Sequence, residues 1–241
     1  MTYSPPSYSS EAGKREITLL VMIGVVSILL WHSPYGGYVL YPFSILATWF
    51  HEMGHGLSAM LLGNNFERLV IFADGSGYAQ YTSPERIPRF ETAIIAASGL
   101  LGPTAAGCLL ILASRNLRAT RAALFVLGCM LIASTVIWVR STTGWIVLPL
   151  LAAASLALSM WGRDRHRRFA VQFLGVQGCI SVYRDFGYLF SEGGVLGGRA
   201  QLSDTGQIAE ALFLPYWVWG SLITVAIVAM VYFALKSAHR R

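Results

Sequence analysis

Residues 48–57 read TWFHEMGHGL, which sets two histidines, a glutamate and two glycines inside a long apolar stretch. On an α-helix, residues four apart share a face, so His51 and His55 can turn two imidazole nitrogens toward one divalent cation. Glu52 follows about 100° round the helix, where its carboxylate can reach a water held by that cation. The pattern H-E-x-x-H thus has a chemical content: two metal ligands plus a general base for hydrolysis. Zinc in such a site lowers the pKa of its water and polarises the carbonyl under attack, while Glu52 takes the proton and later delivers it to the leaving amine. Gly54 and Gly56 are poor helix formers, but they leave room for another backbone or a substrate to approach. Ionisable groups in an apolar segment are costly and mark function by default. The bland alternative is an accidental polar cluster in a packed bundle.

The elements that must position these residues are apolar almost throughout. Of 241 residues, 55% are hydrophobic and 12% charged, and the mean hydropathy is +0.55. A soluble domain carries about 25% charged residues, so the composition is that of a membrane protein. The net charge of +6 gathers in short clusters, at Arg115, Arg118 and Arg121, at Arg163, Arg165, Arg167 and Arg168, and at Lys236, Arg240 and Arg241. Clusters of this kind between apolar runs are juxtamembrane anchors; with no basic stripe along a polar helix, a nucleic-acid partner is excluded. Cys108, Cys129 and Cys179 lie in apolar runs at no metal-ligand spacing and read as small hydrophobes.

A helix needs about 20 apolar residues to cross the hydrocarbon core. Spans are expected near 17–36, 39–62, 92–114, 120–139, 144–162, 169–190 and 214–235. The fold class expected is therefore an all-α polytopic membrane protein with about seven transmembrane helices and one short β-hairpin. Residues 1–16 read as a disordered N-terminal tail and 17–241 as a single multi-span domain. The run Ile17–Trp31 follows Lys14 and Arg15 in the manner of a signal peptide, but no small-x-small cleavage site follows it, so a retained span is the better reading.

Two segments break the apolar pattern. Residues 66–83, FERLVIFADGSGYAQYTS, alternate apolar and polar residues around Asp74-Gly75, a strong turn signal, and are expected to form a hairpin at the membrane edge or else an ordered loop. Residues 191–213 are expected to be a glycine-rich loop (Gly193, Gly194, Gly197, Gly198) followed by a short amphipathic helix capped by Ser203 or Asp204.

FHEMGHGLSAMLLG, then the hairpin, then ASGLLGPTAAG, resembles the site-2 protease family of intramembrane zinc metalloproteases, in particular a compact membrane-peptidase-like branch of it. The resemblance covers roughly residues 40–220. It implies a catalytic Zn²⁺ within the membrane, cleavage of a membrane protein or peptide within or near the lipid bilayer, and a location in a bacterial plasma membrane. It also implies that the hairpin pairs with an unwound substrate strand, which makes Val70, Phe72, Gly77 and Tyr78 candidate substrate-binding residues.

The resemblance further implies a third ligand from an aspartate on a later helix. The family's L-D-G and N-P-D-G motifs do not occur; the best match is CISVYRDFGYLF, with Asp185 and Gly187. At 1.5 Å per residue, Asp185 in the sixth expected span reaches a depth within about 6 Å of His51 and His55 in the second. The alternative for Asp185 is an ion pair with Arg184. Asp74 and Asp204 rank below it because both fall in expected loops. Small residues in SGLLGPTAAG (98–107) suit close helix packing, or Gly102-Pro103 loosens the helix beside the site and frees backbone groups for substrate or oxyanion. A rival reading of the whole chain is a non-enzymatic membrane scaffold or transporter that retains a metal site.

Overall fold

A computed structural model describes residues 8–84, 86–196 and 199–239. In chain order the elements are α1 (Tyr8–Trp31), α2 (Gly36–Leu61), β1 (Asn65–Ile71), β2 (Gly77–Thr82), α3 (Arg89–Ala113), α4 (Leu117–Ile137), α5 (Thr142–Trp161), α6 (Asp164–Arg184), α7 (Phe186–Leu189), β3 (Gly193–Leu196), β4 (Arg199–Leu202), α8 (Asp204–Leu212) and α9 (Tyr216–His239). α1 begins inside the segment expected to be a tail; residues 1–7 lie outside those described.

Seven spans are not found. Among the described residues, α3, α4, α5 and α9 are long and apolar enough to cross a membrane. α1 and α2 meet at 118° across the break before Gly36 and make at most a fifth span together. The expected span 169–190 is divided between α6 and α7 at Asp185. Physically, α6 is an inner helix. Its Gln172 and Gln177 are buried, and each amide donates to α1, to Glu16 Oε1 at 3.2 Å and to Ser27 Oγ at 2.7 Å. Buried amides satisfied by protein partners give a helix that needs no lipid-facing surface.

α3 is the central post, packed against α2, α6, α8 and α9. Its small residues permit this, as the sequence suggests: a methyl group on Gly54 of α2 would collide with the Ser98 carbonyl, and one on Gly102 would lie 2.7 Å from the Phe50 carbonyl oxygen. The two helices therefore approach backbone to backbone. The opposite face of α2 enters the main core, where Ile45, Trp49, Leu124, Leu131 and Leu148 are fully buried. Trp49 Nε1 donates to Ser134 Oγ at 2.9 Å, which meets the indole's one polar need.

The hairpin is present. β1 and β2 pair antiparallel from Asn65 opposite Thr82 to Ile71 opposite Gly77, with a bulge between Phe66 and Arg68. Gly75 adopts φ +89° at the turn, a region open to glycine without strain. The Asp74 carboxylate accepts from the Ser76 amide at 2.9 Å, and these bonds to Ser76 hold its carboxyl below the usual range. The outer edge of β1 is occupied by the α4–α5 corner: Leu69 donates its amide to the Trp138 carbonyl and accepts from the Arg140 amide, both at 2.8 Å. The unpaired edge of the ribbon is therefore that of β2, and it faces α2.

Residues 191–213 depart from the expected loop. β3 and β4 form a second antiparallel hairpin, Gly193 opposite Leu202 through Leu196 opposite Arg199. α8 follows directly, and Ser203 is its N-cap, accepting from the Gly206 amide at 3.0 Å.

Candidate metal centre

His51, Glu52 and His55 lie on the inner face of α2, with Glu52 4% exposed and His55 9% exposed. His55 Nδ1 donates to the Ile95 carbonyl of α3 at 2.8 Å, which leaves Nε2 as the free lone pair. This contact depends on Gly99, one turn further along α3, because a methyl group there would overlap the His55 ring. Ala79, on the open edge of β2, lines the same cavity as Glu52.

The partner of the two histidines is Asp204, the first residue of α8. Its Oδ2 lies 3.0 Å from His51 Nε2 and its Oδ1 lies 3.3 Å from His55 Nε2, while the two Nε2 atoms are 3.0 Å apart. The carboxylate is 3% exposed. Burial alone would raise its pKa, but the adjacent His55 and His51 overcome that and hold it below the ordinary carboxylate range. Three elements fix its place. Ser203 caps α8, Thr205 Oγ1 donates to the Leu189 carbonyl at 3.0 Å, and Ile208 and Ala211 pack on Ala93 and Ala96 of α3.

Asp185, the expected third ligand, does not join this group. α6 ends at Arg184, so Asp185 stands at the break before α7, half exposed, with its carboxylate 3.4 Å from Arg184 Nε. The ion pair named as its alternative is what forms. Among the described residues, the one cluster able to hold a metal is His51, His55 and Asp204. Asp74 remains at the hairpin turn.

The arrangement fits a divalent cation. Two imidazole nitrogens and a carboxylate point at one volume, with their ligating atoms all within 4.8 Å of one another. Lone pairs converging in a buried site need a positive charge between them. A His₂Asp set suits a zinc-type ion and is one ligand short of a closed tetrahedral site, the pattern of catalytic centres. The bond from His55 to the Ile95 carbonyl is the second-shell support that orients a ligand histidine.

The substrate-binding candidates are dispersed. Phe72, Gly77 and Tyr78 line the cavity over the centre, as do Arg68, Gln80 and Tyr188. Val70 is buried and does not line the cavity. Gly102 is used in the contact between α2 and α3, and Pro103 lines a second cavity on the other side of the centre. Pro103 sits inside a continuous α3, so the loosened helix is not seen, although proline still withholds one backbone donor.

A family model described as Peptidase M50B-like matches residues 19–234. No curated protein and no solved structure matches the chain.

Proposed function

Because the chain belongs to the Peptidase M50B-like family, we propose that it is a zinc metalloprotease that hydrolyses peptide bonds within or near the membrane. Its four to five apolar helices make it an integral membrane protein. The observation that carries the reading is a buried carboxylate, Glu52, that ligates nothing yet stands beside the His51, His55 and Asp204 cluster. A purely structural site has no use for such a group, which weighs against a scaffold or transporter.

His51, His55 and Asp204 would hold the ion, and a zinc ion there supplies Lewis acidity and an acidified water. Glu52 is the general base at its carboxylate and then the acid that hands the proton to the leaving amine. Leu69, opposite Ala79 in the ribbon, turns both its backbone groups outward to 138–140, so the register turns those of Ala79 outward as well, along the open edge of β2. Peptide in lipid is hydrogen-bonded as helix. A substrate unwound in the cleft recovers backbone partners by adding as a strand to Gly77 and Ala79.

The test is Glu52→Gln in purified protein. Cleavage of a membrane peptide should fall by about 10²–10⁴-fold, the usual worth of a general base, while bound zinc stays at the wild-type ratio. Undiminished proteolysis would remove Glu52 from the mechanism.

A further inference from the structure

The centre divides one cleft into two chambers of opposite character. One, of about 630 Å³, lies over β2 and is lined by Arg68, Gln80, Tyr81 and Gln207. The other, of about 450 Å³, lies toward the hairpin turn; Leu100, Pro103, Val182 and Leu189 of α3, α6 and α7 form its apolar wall, with Ser181 and Arg184 at its margin. His51, Glu52, Gly77, Tyr188, Gln201 and Leu202 border both, so the chambers join at the reacting position. Each volume lies within the ordinary range of ligand sites. An extended chain crossing the centre must put one half into each.

We propose that the 450 Å³ chamber is a subsite for a large apolar side chain, and that the protein selects peptides at a junction where a polar stretch meets an apolar one. This rests on the protease reading above. The strand order supplies the direction. The chamber lined by Leu100 and Val182 adjoins Gly75, Ser76 and Gly77, at the start of β2, whereas the polar chamber runs on past Ala79 to Tyr81. A peptide added antiparallel to β2, the commoner pairing, runs from the Tyr81 end to the Gly77 end. Its residues before the scissile bond then lie among Arg68, Gln80 and Gln207. Those after it enter the chamber between α3 and α6. Burial of an aliphatic side chain against Leu100, Pro103, Val182 and Leu189 adds affinity by the hydrophobic effect, which an amide side chain in the same place largely forgoes.

The experiment uses full-length protein in detergent micelles and a synthetic peptide with a polar half and a helical apolar half. Photoreactive phenylalanine is placed either before or after the junction, and its crosslinks are mapped on the zinc-loaded Glu52→Gln protein, which binds without turnover. Crosslinks from the position after the junction are expected within 100–103 and 181–189, and those from the position before it at 68, 80 or 207. In parallel, the wild-type protein cleaves peptides carrying Leu or Asn on either side. Asn after the bond should lower kcat/KM at least tenfold, Asn before it less than threefold, and Val182→Phe should abolish the preference. Crosslinks that segregate without any cleavage by the wild type would sustain the subsite and sink the protease reading. Cleavage equally sensitive on both sides, or crosslinks that do not segregate, would sink the subsite alone.

Discussion

The α2 side of the candidate metal centre is set mainly by close packing against α3, whereas the α8 side adds hydrogen bonds to its apolar contacts. On α2, three functional residues fall within five positions of one helix, backed by α3 at van der Waals contact through Gly54 and Gly99. On α8, a single carboxylate sits in the first turn of a nine-residue helix. Its place is set by Ser203, whose amide donates to the Glu192 carbonyl at 2.9 Å, and by Thr205, whose hydroxyl reaches Leu189. Packing resists substitution in steps of one methyl group; a polar tie is lost or kept as a unit. The α2 side should therefore fail by collision and the α8 side by release.

The widest contrast is between ligand and bystander. Asp204→Ala should lower zinc affinity by at least about a hundredfold, beyond the 10–100-fold typical of second-shell losses, with Asp185→Ala left at the wild-type value. Metal content after dialysis against a graded chelator measures both, and parity between the two variants would overturn the ligand assignment. A collision on the α2 side comes next. Gly99→Ala drives a methyl group into the His55 ring, so overpacking of about 1–3 kcal/mol should appear as roughly tenfold weaker zinc binding at unchanged helix content by circular dichroism. Release on the α8 side is the smallest effect. Ser203→Ala removes the cap, at about 1 kcal/mol, and should raise amide exchange across Asp204–Leu212 selectively while α2 keeps its protection. If α2 exchanges faster as well, the two sides are not separately secured.

The same contrast explains what the sequence disclosed. His51, Glu52 and His55 announce themselves because helical spacing alone brings them together. The hairpin at 65–82 is equally local, carried by alternation and by Asp74-Gly75. Asp204 depends on contacts far along the chain, and the search for an aspartate followed by glycine favoured Asp185 instead. A signal was present all the same: Asp204, Ile208 and Ala211 follow at i, i+4 and i+7, so the acid lies in line with the apolar stripe of α8. A charge on the buried side of an amphipathic helix asks for a partner. The span count misled for a related reason. α6, with Gln172 and Gln177 turned inward to α1 and charged residues at both ends, is not apolar enough to count as a span, and composition cannot register the 118° bend between α1 and α2.

The parallel bridge between Leu69 and Val139 has a bearing on solubility and assembly. A two-stranded ribbon with bare margins invites another copy of itself to zip alongside, a common start of aggregation. Here one margin is stitched to the α4–α5 corner and the other is recessed against Glu52, so neither is offered to a passing chain at the surface.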